Sequence, residues 1–182
     1  MIKSEILHPQ LLAALAKAGH KARILFSDAN YSFVTNSSPR AEIVYLNLAP
    51  GTVPSPEILA RVTRLINVEQ ATTMAWPDDF ENTIHKEYVD ILPDDTPMDL
   101  VARADVYAAA KSPDTLLVIA SGETRRFANI ILTVGPVIVQ AAHKKAPAGS
   151  LRRGLFFAWR TGLSAPRRRP VWACAKPPAG RR

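Results

Sequence analysis

Leu11, Leu12 and Leu15 recur at helical spacing between Pro9 and Ala18, which predicts a first helix. Pro9 suits its first turn, where a missing N–H is an N–H that a helix start leaves unbonded anyway, and Gly19 suits a left-handed C-cap. Ala22 to Ser27 then reads as a strand ending at Asp28. Residues 29–54 are rich in Asn, Ser, Pro and Gly and predict loop, with a short strand around Glu42 to Leu46. Ser55 followed by Pro56 and Glu57 caps a second helix, whose Ile58, Leu59, Val62 and Ile66 repeat at helical spacing. Ala71 to Ala75 is a further strand. Phe80 to Leu92 is a helix with Phe80, Ile84, Tyr88 and Ile91 on one face. After a turn at Pro93 to Pro97, Asp99 to Ala104 reads as strand and Val106 to Lys111 as helix. Thr115 to Ala120 is continuously apolar between turn residues, as a buried parallel strand is, and Asn129 to Val134 is another of the kind. Strands alternating with helices predict an α/β class, a single layered domain around a mostly parallel sheet.

Composition narrows this without changing it. Hydrophobic residues make up 47% of 182, enough for a core. No apolar run is long enough for a membrane-spanning helix, and the start Met1-Ile2-Lys3-Ser4-Glu5 lacks the apolar stretch of a secretory signal. The lone Cys174 can form no internal disulfide, which with the missing signal leads us to expect a reducing, cytoplasmic setting. The four histidines, His8, His20, His85 and His143, are scattered, so no structural metal site is expected.

Charge does change the picture, because it is divided. Residues 1–136 carry a net −4, and residues 137–182 hold 11 Lys+Arg and no acid, giving the overall +7. The expected division is a folded domain over 1–137 and a basic Pro/Arg/Ala-rich tail over 138–182, disordered by composition. The tail has three readings: an addition without function, an electrostatic arm for nucleic acid or an anionic membrane, and a partner-binding or targeting segment.

Two segments carry the candidate chemistry. One is Gly19-His20 followed by Phe26-Ser27-Asp28-Ala29; the other is Ser121-Gly122-Glu123-Thr124-Arg125-Arg126-Phe127-Ala128-Asn129-Ile130-Ile131-Leu132. A histidine gives and takes protons near neutrality. An aspartate at the C-terminal end of a strand sits where open α/β sheets hold ligands. Taken singly, each residue has a plainer reading. His20 would be a helix-dipole partner, Asp28 and Asn129 turn residues, Phe127 core, Glu123 a brace of its own loop, Arg125-Arg126 a solvated pair, and His8 and His85 surface residues.

As an ordered set, with Gly135-Pro136-Val137 at the close, these segments resemble the L-fucose mutarotase / D-ribose pyranase family over roughly residues 5–137. Weaker similarities are Arg40-Ala41-Glu42 and Pro50-Gly51-Thr52-Val53-Pro54. The resemblance implies an α/β fold, a ring-type homo-oligomer, commonly a decamer, with sites between neighbouring subunits, and interconversion of sugar anomers or ring forms without cofactor or metal. By it, His20 matches the proton-transferring histidine, Asp28 the sugar-binding aspartate, and Phe127, Ala128 and Asn129 the triplet that closes the site. The monosaccharide partner it favours is fucose. A basic sugar contact upstream falls on Arg103 if the following aromatic is matched to Tyr107, with a gap near Ser112-Pro113-Asp114; without the gap Asp105 takes the position. Three departures stand out: Phe127 replaces the family's tyrosine, Lys21-Ala22 the Gly-Asp that often follows the histidine, and Ser32 the proline of its Asp-Ala-x-x-Pro stretch. The missing phenol motivates one alternative to a mutarotase, a non-catalytic sugar-binding or assembly paralogue; the basic tail motivates another, a nucleic-acid or membrane adaptor acting through it.

Overall fold

Ten regular elements follow one another in the computed structural model, which describes residues 2–138: α1 (Pro9–Lys17), β1 (Arg23–Ser27), β2 (Glu42–Tyr45), α2 (Ser55–Val62), β3 (Val68–Met74), α3 (Thr83–Ile91), β4 (Met98–Val101), α4 (Arg103–Lys111), β5 (Thr115–Ala120) and β6 (Ile130–Val134). Residues 139–182 lie outside this range, and with them the readings of the basic tail. Among the described residues no helix is long and apolar enough to cross a membrane.

The strands form one six-stranded sheet in the order β2-β5-β1-β6-β3-β4. β1 and β2 each pair in parallel with β5, and β3 pairs in parallel with β4. β6 runs antiparallel to both β1 and β3. The sheet is therefore mostly parallel, as expected, but β6 is not the parallel strand its apolar run suggests. A strand buried on both faces reads the same in either direction.

Side-chain alternation along the central strands divides the core. Ile24, Phe26, Leu117, Ile119, Ile130 and Leu132 face the layer made by α1, α2 and α3. Leu25, Val118 and Ile131 face α4, which contributes Val106 and Ala110. The result is a helix–sheet–helix sandwich. Each fully buried large side chain, such as Phe26, Leu59 or Tyr88, contributes about 1.5–3 kcal/mol.

Several local expectations shift. The left-handed residue after α1 is Lys21 (φ 70°), not Gly19, because Ala18 closes the helix in extended geometry. Lys21 then turns the chain so that its N–H reaches the Val134 carbonyl at 2.9 Å. Ser55 is the first residue of α2 rather than its cap; Pro54 holds the cap position, and the Ser55 hydroxyl meets that of Tyr88 at 2.9 Å. α3 begins at Thr83, with the Asn82 side chain accepting from the His85 N–H, so Phe80 sits in the preceding turn. β4 stops at Val101, and α4 starts at Arg103, three residues before the expected helix. His8 is no idle surface residue: its Nδ1 accepts from the Leu11 N–H and caps α1. His85 is half-buried against Trp76, with ring centroids 4.7 Å apart.

Candidate functional site

β1, β3, β4 and β5 all deliver their C-terminal ends to one edge of the sheet, where the chain also enters β6. The chain leaves β1 toward β2 on one side and returns as β3 on the other, so this edge contains a topological switch point, the usual ligand position in such sheets. A cavity of about 190 Å³ opens there, lined by Asp28, Asn30, Tyr31, Met74, Arg103, Tyr107, Arg126, Phe127 and Asn129.

Asp28 follows the last residue of β1 and is 6% exposed. Its backbone N–H donates to Asn129 Oδ1 at 3.0 Å, and Asn129 Nδ2 donates to Asp28 Oδ2 at 2.9 Å. This reciprocal pair fixes the orientation of the asparagine amide, since a backbone N–H only donates and a carboxylate only accepts. The other carboxylate oxygen, Oδ1, accepts from the Asn30 N–H at 2.9 Å. Burial pushes the Asp28 carboxyl above its ordinary value. The Asn30 and Tyr31 N–H groups and the Asn129 amide pull against that without cancelling it.

The loop from Ser121 to Asn129 holds this arrangement against β1. The Ser121 hydroxyl donates to the Ser27 carbonyl at 2.7 Å, and the Ala29 N–H donates to the Glu123 carbonyl at 2.8 Å. Ala128 is fully buried, and its carbonyl accepts the Tyr88 phenol at 2.6 Å. That phenol has one proton and a carbonyl only accepts, so Ser55 donates to Tyr88 in turn. Phe127 adopts φ 60°, a region that side-chain-bearing residues avoid at a cost of about 1–3 kcal/mol, and one that recurs at binding sites. Its ring packs edge-on against Phe80, centroids 4.9 Å apart.

Arg125 and Arg126 are not the solvated pair that adjacency suggests. Arg125 grips Glu123 with Nε to Oε1 and Nη2 to Oε2, both at 2.9 Å, and reaches Glu87 on α3. Arg126 instead stands over the rings of Phe127 and Phe80, at 5.2 and 5.4 Å from their centroids.

Glu123 is buried and also accepts from the Thr124 and Arg125 N–H groups. Burial pushes its carboxyl up, but the Arg125 guanidinium and these N–H groups outweigh it, and the net displacement is below the ordinary 4.5. A native carboxyl displaced downward stabilises fully above its unfolded pKa and loses that contribution as pH falls through the native one. Replacing Glu123 with Gln should therefore cost about 2 kcal/mol near neutrality. Thermal melts of the two proteins should converge on acidification below about pH 4.5. A gap that persists unchanged at low pH would mean that the carboxylate charge contributes nothing.

Of the sequence candidates, Asp28, Arg103, Phe127 and Asn129 meet at the cavity, with Ala128 buried behind it. Asp105, the alternative to Arg103, is exposed and does not line it. His20 lies elsewhere in the domain, before the N-terminal end of β1, where its Nε2 is 2.8 Å from Glu69 Oε2 and its side chain is half-exposed. Strand rise alone puts roughly 17 Å between the two ends of β1. Tyr31 was not singled out from sequence. It is 5% exposed, stacks on Tyr107 at 5.3 Å and donates its hydroxyl to the Asn36 carbonyl at 2.7 Å. Its position three residues after Asp28 was the available signal.

Comparison with known proteins finds the same fold among solved structures. The structure of Bacillus subtilis RbsD complexed with D-ribose is similar at TM-score 0.67, with 23% identity over 76% of this chain and 100% of that one. FucU from Bifidobacterium longum matches at TM-score 0.62 and 25% identity, over 71% of this chain and 94% of that one. The fucose mutarotase from Streptococcus pneumoniae, in complex with L-fucose, matches at 0.60 and 26%, with the same coverage. The profile described as the RbsD / FucU transport protein family matches residues 1–137, and the chain belongs to that family.

Proposed function

We propose that this protein is a sugar mutarotase, interconverting the anomers or ring forms of a monosaccharide by opening and reclosing its hemiacetal. The observation that carries the reading is the Asp28–Asn129 pair, locked by two reciprocal hydrogen bonds on the wall of a cavity of sugar size. A carboxylate and an amide so fixed offer acceptors and a donor to vicinal hydroxyls, and Phe127 offers a ring face to the apolar side of a sugar. Arg103 donates to ring or hydroxyl oxygens. The fucose mutarotase and the FucU protein among the similar structures support this class of reaction, with L-fucose as the first sugar to try.

Opening breaks the bond between the anomeric carbon and the ring oxygen. A base takes the proton of the anomeric hydroxyl, an acid protonates the ring oxygen, and the free aldehyde rotates before the steps reverse. We assign the proton transfer to His20. The opposite placement of His20 and Asp28 within a subunit supports a site completed by a neighbouring subunit, in a ring-type homo-oligomer such as a decamer. Phe127 has no phenol to pass the second proton, which moves through water, Asp28 or the Tyr107 hydroxyl on the same wall.

The test is subunit complementation, read by magnetisation-exchange NMR on the anomers of L-fucose. His20→Ala and Asp28→Ala proteins should each fail to accelerate exchange. After mixing, dissociation and reassembly, about a quarter of the sites should hold both intact residues if the interface is heterologous, and activity should return to that extent. No recovery from properly reassembled mixtures would refute a shared site. A folded wild-type protein that accelerates no sugar would turn the reading to the non-catalytic paralogue.

A further inference from the structure

The lining of the cavity is not that of a site for a neutral sugar alone. Two guanidinium groups, Arg103 and Arg126, border it against one carboxylate, Asp28. Both oxygens of that carboxylate already accept protein hydrogen bonds. Among the described residues neither arginine forms an ion pair within 4.0 Å, whereas Arg125, adjacent in sequence, is held by two glutamates. Arg126 is positioned by aromatic faces rather than by acids, so its N–H edges are left for something else. Ring faces hold a guanidinium without neutralising it. Arg103 is also the first residue of α4, whose cap position, Ala102, makes no side-chain cap bond and whose first turn holds one acid, Asp105, exposed and outside the cavity lining.

We infer that Arg103 and Arg126 together form an anion subsite beside the sugar site, and that the preferred ligand is an acidic monosaccharide carrying a carboxylate or phosphate. Arg126 is the specificity-determining residue, resting on the edge-to-face pair of Phe80 and Phe127. A planar guanidinium matches a carboxylate or phosphate with paired N–H donors, which a neutral hydroxyl cannot use equally. Both arginines are exposed in the isolated subunit, so solvent screening limits the preference to about tenfold.

The inference rests on the mutarotase reading for its reaction, but not for its binding preference. The full-length protein would be tested with a matched series, D-galactose, D-galacturonate and D-galactose 6-phosphate, with L-fucose as a neutral reference. Binding would be read by saturation-transfer NMR and turnover by anomer exchange. The expected result is about tenfold tighter binding of one charged member than of galactose, weakening as salt rises. Which charged member binds distinguishes a sugar acid from a sugar phosphate. Arg126→Gln should collapse the charged-to-neutral ratio toward one, and Arg126→Lys should restore only part of it, lacking the planar fork. Equal or better binding of galactose, or a ratio untouched by Arg126→Gln, would overturn the inference. If no sugar is turned over yet the charged one binds best, the mutarotase reading fails and the anion subsite stands.

Discussion

Gly122→Ala is expected to destabilise the protein by about 3 kcal/mol and to lower its melting temperature by roughly 10 °C. A Cβ built at Gly122 would stand 1.9 Å from the Thr52 carbonyl oxygen and 2.7 Å from that of Ala49. Both obstacles are backbone, so no side chain can swing aside. The two segments are joined there by the Gly51 N–H donating to the Gly122 carbonyl at 2.7 Å and the Gly122 N–H donating to the Val53 carbonyl at 3.3 Å. The opposing loop has little give, since Gly51 and Val53 already hold positive φ of 79° and 48°. Relief therefore has to separate loop 49–53 from the loop that carries Glu123, Phe127 and Asn129. The lesion should appear in thermal melts and also as weakened ligand binding. A variant that melts with wild type would show that the two loops are not in contact in solution.

The second large effect is on the site itself. Asp28→Asn should reduce anomer exchange by about a hundredfold, although the side chain changes neither size nor shape. Both carboxylate oxygens face fixed donors, Asn30 N–H at one and Asn129 Nδ2 at the other. An amide has to turn its NH2 toward one of them, setting donor against donor and leaving a buried N–H without an acceptor. The asparagine partner then rotates or withdraws, and the two groups that grip the sugar lose their common orientation. The circular dichroism spectrum should stay that of wild type while exchange collapses. Exchange retained within threefold would remove Asp28 from the sugar-binding role.

These residues also mark how far the sequence could be read. The β5 run is apolar and bounded by turn residues, and β1 has an apolar centre, Ile24 to Phe26, running into Ser27-Asp28, so the extent of both could be read almost to the residue. The direction of β6 was not evident from its composition. It was implied by the connection: only residues 121–129 separate β5 from β6, with no helix among them, and a parallel return needs a longer crossover. Phe80 shares helical spacing with Ile84 and Tyr88, yet Asn82 caps the helix after it, and local polar geometry overrode the periodicity. Asp28 and Asn129 could be singled out because their motifs are contiguous. Arg126 and Tyr31 could not, because what they do depends on rings and carbonyls brought in from elsewhere in the chain. The separation of His20 from Asp28 was implicit in the strand between them.

The central position of β6 has a consequence for how the molecule is made. Among the described residues it is the last strand in sequence, yet it lies between β1 and β3 and touches both. Until residue 130 has been synthesised, the sheet exists only as two unjoined halves, each ending in a strand, β1 or β3, whose edge has no partner. Such edges invite pairing with other chains. A nascent or truncated polypeptide that stops before Ile130 should therefore be a client for chaperones or a seed for aggregates rather than a smaller folded protein. Closure of the domain falls to a five-residue strand that arrives late and fills a slot already waiting for it.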